Sequence, residues 1–247
     1  MSRYGSYADD YYVNMNLNTE LDLPSSRETV LHFFEQMQRH FPTLRNFHTR
    51  DRSEVVIEED KDRGSYRWLS VEPRRLSSGY VNPPSIEEAM KLHNTVLELA
   101  PFALAVSPLD CETLNIMYGF DFTFRGNHNQ LLVDALGVSP AMEKMAQIPG
   151  TSVLGCEPML HLAMDDECRT QVRLSVESRT TPFHVRMRDF PEEQLSVYLT
   201  ARRYGSLDAG DNFIKASARL GEICQDLVDG YVLENILRPL QQKIAMG

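Results

Sequence analysis

Val13, Met15, Leu17, Thr19, Leu21 and Leu23 alternate with Asn14, Asn16, Asn18, Glu20 and Asp22. Successive side chains of a strand point to opposite sides, so this alternation predicts a long strand with one dry face. Leu114, Ile116, Tyr118, Phe120, Phe122 and Phe124 repeat the pattern at an offset of 101. After each strand the period changes to that of a helix. Ser25 and Glu28 have capping-box spacing, and Val30, Phe33, Phe34, Met37 and Phe41 form an apolar stripe. Short helices are predicted over 130–136 and after Ser139-Pro140. Strands are predicted near 53–60, 65–74 and 77–82, and again near 152–165, 168–180, 183–188 and 194–203. A helix closes each series. The first is capped by Ser85 and Glu88, turns Ile86, Ala89, Met90, Val96, Leu97 and Ala100 inward, and is expected to stop at Pro101. The last starts near Asp208 or Asp211 and carries Leu220, Ile223, Cys224, Leu227, Tyr231 and Leu237, with a break expected at Gly230 and a limit at Pro239.

The two series share sequence. Leu69-Ser-Val-Glu-Pro-Arg74 matches Leu174-Ser-Val-Glu-Ser-Arg179 in five positions of six, at an offset of 105. The expected fold class is therefore α+β: a tandem duplication of a β-α-β-β-β-(β)-α module, with helices on one face of an antiparallel sheet. The division is a flexible tail over 1–10, one module over 11–108 and a second over 109–247. Joined through their long first strands, the modules would make one saddle-shaped sheet with pseudo-two-fold symmetry. This element order resembles the duplicated fold of TATA-box-binding proteins and the helix-grip lipid-binding folds. The resemblance implies a fold and leaves function to the residues.

Composition narrows the classes. The formal net charge is −10, and both halves are acidic: 12 basic against 16 acidic residues in 1–105, and 13 against 19 in the rest. Broad electrostatic attraction to nucleic acid or an acidic membrane is not expected. No apolar run is long enough for a transmembrane helix, and the first twelve residues lack the apolar core of a secretory signal. Cys111, Cys156, Cys168 and Cys224 include no CxxC pair, which fits a reducing cytoplasm.

No nucleophile elbow, Walker loop or GxGxxG is present, and no cofactor is expected. His161, Asp165, Asp166, Glu167 and Cys168 cluster around one hairpin but lack metal-ligand spacing, so no metal site is assigned. His93 falls on an apolar helix stripe and reads as a hydrogen-bonded core histidine.

Alternation assigns residues to the sheet face opposite the helices: Asn14, Asn16, Asn18, Glu20, Asp22, Asn115, Asp121, Thr123 and Arg125 from the first strands, and Trp68, Ser70, Glu72, Arg173, Ser175, Glu177, Arg179, Ser196, Tyr198, Thr200 and Arg202 from the others. Arg186 and Arg188 are placed on a predicted strand beside His184. Guanidinium groups recognise carboxylate or phosphate, and Trp and Arg anchor interfaces. Trp68, Glu72, Arg173, Arg179, Arg186, Arg188, Tyr198 and Arg202 are therefore the candidate binding residues, although nearby Glu177, Asp189, Glu192 and Glu193 could pair with the arginines. The leading expectation is a non-catalytic interaction protein that binds a protein or peptide on this face. Two alternatives stay open. One is a carrier of a small apolar ligand held between the sheet and the last helix by Phe120, Phe122, Phe124, Met159, Met164, Phe213 and Tyr231. The other is an enzyme whose site assembles only in three dimensions.

Overall fold

A computed structural model of the chain describes residues 4–50 and 53–246. Nine antiparallel strands form one continuous sheet. They are β1 (Asp10–Thr19), β2 (Asn46–Arg50), β3 (Glu54–Glu58), β4 (Tyr66–Glu72), β5 (Arg75–Val81), β6 (Cys111–Arg125), β7 (Met159–Ala163), β8 (Thr170–Glu177) and β9 (Glu192–Tyr204). Their order across the sheet is β2-β3-β4-β5-β1-β6-β9-β8-β7. The helices are α1 (Arg27–His40), α2 (Ile86–Ala103), α3 (His128–Leu136), α4 (Pro140–Ala146), α5 (Pro182–Met187), α6 (Phe213–Leu227) and α7 (Arg238–Met246), with a π-helical stretch, Val228–Leu237, joining the last two.

The two long alternating strands, β1 and β6, pair at the centre, with Met15 opposite Ile116 and Leu17 opposite Leu114. In each half the chain runs from the central strand to the far edge and winds back, so β4 and β8 are each the second strand out. Leu69 lies level with Met15 through Ser78, and Leu174 lies level with Tyr118 through Leu199. Those levels give the central strands an offset of 103, two residues from the 101 of the apolar match, with the same face inward. The halves differ in number: five strands on one side, four on the other.

Helices α2 and α6 lie across the central strands. Beneath them Val13, Met15, Leu17, Leu69, Leu114, Ile116, Tyr118, Phe120, Val176 and Val197 are buried in one apolar cluster. Alternation thus puts the right parity inward. Its reach ends at Thr19, where the β1–β6 register shifts and the Thr19 backbone N–H turns to the Arg74 carbonyl, leaving Leu21 exposed.

Several local expectations are corrected. Tyr4 is fully buried and β1 begins at Asp10, so residues 4–10 are not a free tail; residues 1–3 lie outside the described residues. The strand expected at 183–188 is α5: Thr181 caps the His184 backbone N–H and Pro182 occupies the first helical position, which suits a residue without an N–H. Helix α2 continues past Pro101 to Ala103. The final helix does not break at Gly230 or end at Pro239; the π-helical stretch resets its register, and α7 carries Pro239 in its first turn. Strand β2 has no counterpart in the apolar pattern because it is an edge strand with no buried residue.

His93 of α2 is fully buried, with Nδ1 2.7 Å from Ser78 Oγ. Burial lowers its pKa to about 3, against a backbone hydrogen bond with Val13 that works the other way. The unfolded chain then binds one more proton than the folded chain between about pH 6.5 and about pH 3. This contribution is complete above pH 6.5 and falls as the pH drops, by at most about 1.4 kcal/mol per unit. Thermal melts of wild type and His93→Gln between pH 7 and pH 4.5 should converge on acidification; parallel curves would remove His93 as the cause.

Candidate functional site

The open face is built by register. Even positions of β1, β4 and β9 and odd positions of β5, β6, β7 and β8 share it. In the first half its floor is made of short side chains. Ser70 and Ser77 are buried, and a Cβ at Gly79 would collide with the Trp68 indole and the Asn14 amide. The half-buried Trp68 therefore covers a glycine of the neighbouring strand. Gly119 in β6 has the same relation to the Tyr12 ring. The bare backbone of the glycine is what lets each ring approach the sheet.

The second half carries a concavity of about 760 Å³, floored by β8 and β9 and walled by β1 and β7. Arg173 lies between Thr200 and His161 on adjacent strands, and Arg202 lies between Asn115 and Gln171. Tyr12, Tyr198 and Tyr204 add aromatic faces and hydroxyls. The Arg202 guanidinium donates to the Tyr204 hydroxyl at 3.1 Å and stands over that ring, while its Nε is buried without a partner. Among the described residues, neither Arg173 nor Arg202 reaches a carboxylate within ion-pair distance. The neighbouring arginines do: Arg179 pairs with Glu177 at 3.3 Å, and Arg203 pairs with Asp208 at 3.1 Å.

In the wall of the concavity the Tyr12 hydroxyl donates to Asp121 Oδ1 at 3.3 Å. Burial, helped by Asp121 and Tyr198, raises the Tyr12 pKa far above the ordinary phenol value. Burial also raises Asp121, against hydrogen bonds from Ser196 and Tyr12 that favour its charged form. Tyr12 is thus a fixed neutral hydroxyl. Burial pushes the Cys111 and Cys224 thiols up to about 11 and about 12, so neither is a thiolate at neutral pH. Among the described residues no group of three His, Cys, Asp or Glu could hold a metal ion. The acidic hairpin after β7 serves its own turn, with Asp165 accepting from the backbone N–H groups of Arg169 and Thr170.

Of the candidate residues, Arg173, Tyr198 and Arg202 come together in the concavity, and Arg179 stands at its margin. Trp68 shares the face but belongs to the other half, and Glu72 is tied to Arg75 at the β4–β5 turn. Arg186 and Arg188 are corrected: they lie on α5 and at its left-handed C-cap, off the strands, because the local capping chemistry overrides an alternation that looks like a strand. Tyr12, Tyr204 and Met117 line the concavity without having been singled out from the sequence, and His161, weighed there only as a metal ligand, joins them. Parity alone would have placed the first three on this face; His161 also needed the β7 register.

The residues suggested for an apolar-ligand cavity do not converge. Phe120, Phe122 and Phe213 are buried in the core cluster, whereas Met159, Met164 and Tyr231 are exposed. Among the described residues no helix is long and apolar enough to cross a membrane. No protein-family model matches the chain, and no curated protein is significantly similar to it.

Proposed function

We propose that the chain is a non-catalytic interaction protein whose open sheet face binds a protein or peptide, with the concavity over β8 and β9 as the main contact and Trp68 as an outlying anchor. One observation carries this reading. Two guanidinium groups of a chain with net charge −10 stand in a concave site and, among the described residues, reach no carboxylate within ion-pair distance, the one acid of the lining, Glu177, being paired with Arg179. The two lie diagonally on adjacent strands, and arginine is suited to hold an incoming oxyanion in a two-toothed grip. Three tyrosines beside them supply the aromatic area and hydroxyls common at interfaces.

The repeated Leu-Ser-Val-Glu segment, together with strand order mirrored about β1 and β6, supports reading the halves as duplicated modules of the TATA-box-binding-protein type. On that reading, the second half has specialised its open face. Four unpaired cysteines support a reducing, cytoplasmic setting.

The test is comparative capture. Wild type and Arg173→Glu are used as baits, and their thermal melts are recorded alongside. Proteins retained by wild type should be lost from Arg173→Glu at an unchanged melting temperature, because exposed substitutions change stability little. An identical retained set from both baits would reject the open-face reading.

A further inference from the structure

We propose that the free edge of β7 docks an extended apolar peptide with one central acidic residue, which adds to the sheet as a tenth strand. The acidic position rests on the open-face reading above; the strand addition rests on separate observations.

Strand β7 is the last strand on its side of the sheet. All five of its residues are exposed on both faces. Met159, Leu160, Leu162 and the following Met164 are 63%, 54%, 44% and 45% exposed, which is unusual for four apolar side chains in one short run. Edges are normally protected by a lysine, a proline or a bulge. The run Met159–Ala163 contains none of these.

Backbone direction is fixed by two bonds. The Met164 N–H donates to the Thr170 carbonyl, and the Val176 N–H donates to the Pro158 carbonyl. Residues 158, 160, 162 and 164 therefore turn their main-chain groups toward β8, and Met159, His161 and Ala163 turn theirs outward. Among the described residues nothing pairs with that outward row. In the other half the corresponding place, outside β3, is filled by β2. In the second half the chain instead runs through the exposed helix α4 and leaves the place open.

Charge and polarity specify the occupant. On the open face an added strand would lie beside His161, with Arg173 one strand further in, about 10 Å away and within reach of two long side chains. Its other face would meet Leu160 and Leu162. On the open face the guest meets Met159, His161 and Ala163 in turn, with Arg173 behind His161; an apolar strand with one acidic residue beside His161 satisfies both faces, and lysines at its ends would answer Glu157 and Asp165. A second copy fits poorly. Antiparallel pairing of two β7 strands about His161 sets Glu157 against Asp165 and the two histidines against each other.

The test uses an acetylated nine-residue peptide with Glu at its centre, Val on either side and Lys at both ends (the Val/Glu peptide), and the same peptide with Lys for Glu (the Val/Lys peptide), titrated into the full chain by fluorescence anisotropy. The Val/Glu peptide should bind wild type at least tenfold more tightly than the Val/Lys peptide. Ala163→Pro removes an outward N–H without touching the β7–β8 ladder, and it should weaken binding at least tenfold at an unchanged melting temperature. A Val/Glu peptide N-methylated along its docking edge should fail against wild type, which keeps the test independent of how the proline variant folds. Full binding by both Ala163→Pro and the N-methylated peptide, with loss only in Arg173→Glu, would overturn strand addition and keep the open-face reading. Absence of Val/Glu binding to wild type would overturn the proposal. So would a wild-type dimer in sedimentation that Ala163→Pro dissociates.

Discussion

Arg67→Ala is expected to destabilise the protein by about 3–5 kcal/mol, the cost of leaving a buried carboxylate without its cation. The Arg67 guanidinium is held between two rings, 5.0 Å from that of Phe41 and 4.6 Å from that of Tyr80. It meets Glu59 at 3.0 Å, and the same carboxylate accepts the Arg67 backbone N–H at 2.8 Å and the Thr43 hydroxyl. Glu59 is only 8% exposed, so alanine at 67 would strand it away from water. The stack also joins the end of α1 to β4 and β5. Lysine at 67 keeps the charge but loses the flat stack and fork, and should fall between alanine and wild type. Chemical denaturation measures all three. A loss below about 1 kcal/mol for Arg67→Ala would mean that the pair behaves as an ordinary surface ion pair.

Tyr4→Ala is expected to cost a similar amount, about 3–5 kcal/mol, as large buried aromatic truncations do. The Tyr4 ring has no exposed surface and lies 5.8 Å from Tyr11 and 6.0 Å from Phe120, edge to face with both. Its hydroxyl donates to Asp229 at 2.9 Å, tying the start of the chain to the π-helical stretch. Tyr4→Phe keeps the ring and removes the hydroxyl that bonds Asp229, and should cost about 1 kcal/mol. Unfolding free energies of the two variants decide the matter. A near-neutral Tyr4→Ala would show that the segment before β1 contributes nothing to the core.

Tyr4 also shows where sequence patterning loses its grip. One anchor among Ser, Gly and Asp has no period, so it reads as tail. By contrast β1 and β6 repeat their alternation often enough to fix both strand and face. The inward set beneath α2 and α6 follows from it, and so does the placement of Arg173, Tyr198 and Arg202 on the open face. Leu21 is misplaced because alternation cannot register that the ladder has ended. His184, Val185, Arg186, Met187 and Arg188 alternate like a strand, yet Thr181 and Pro182 start a helix there; a short cap outweighs a short period. The concavity itself was not legible. The pairs Arg179–Glu177 and Arg203–Asp208 are local in sequence, but the gathering of Arg173 and Arg202 in one concavity depends on strand order, which places β8 beside β9.

The open face is tested most directly by affinity. A protein retained by wild type is titrated calorimetrically into wild type, Arg173→Glu and Arg186→Glu. Both substitutions change net charge equally, but only Arg173 stands in the concavity. Arg173→Glu should weaken binding by about thirtyfold or more, as loss of an interface hot spot of about 2 kcal/mol does, while Arg186→Glu should leave it within about twofold. Equal affinity for wild type and Arg173→Glu, or equal weakening by both variants, would contradict a binding site on this face.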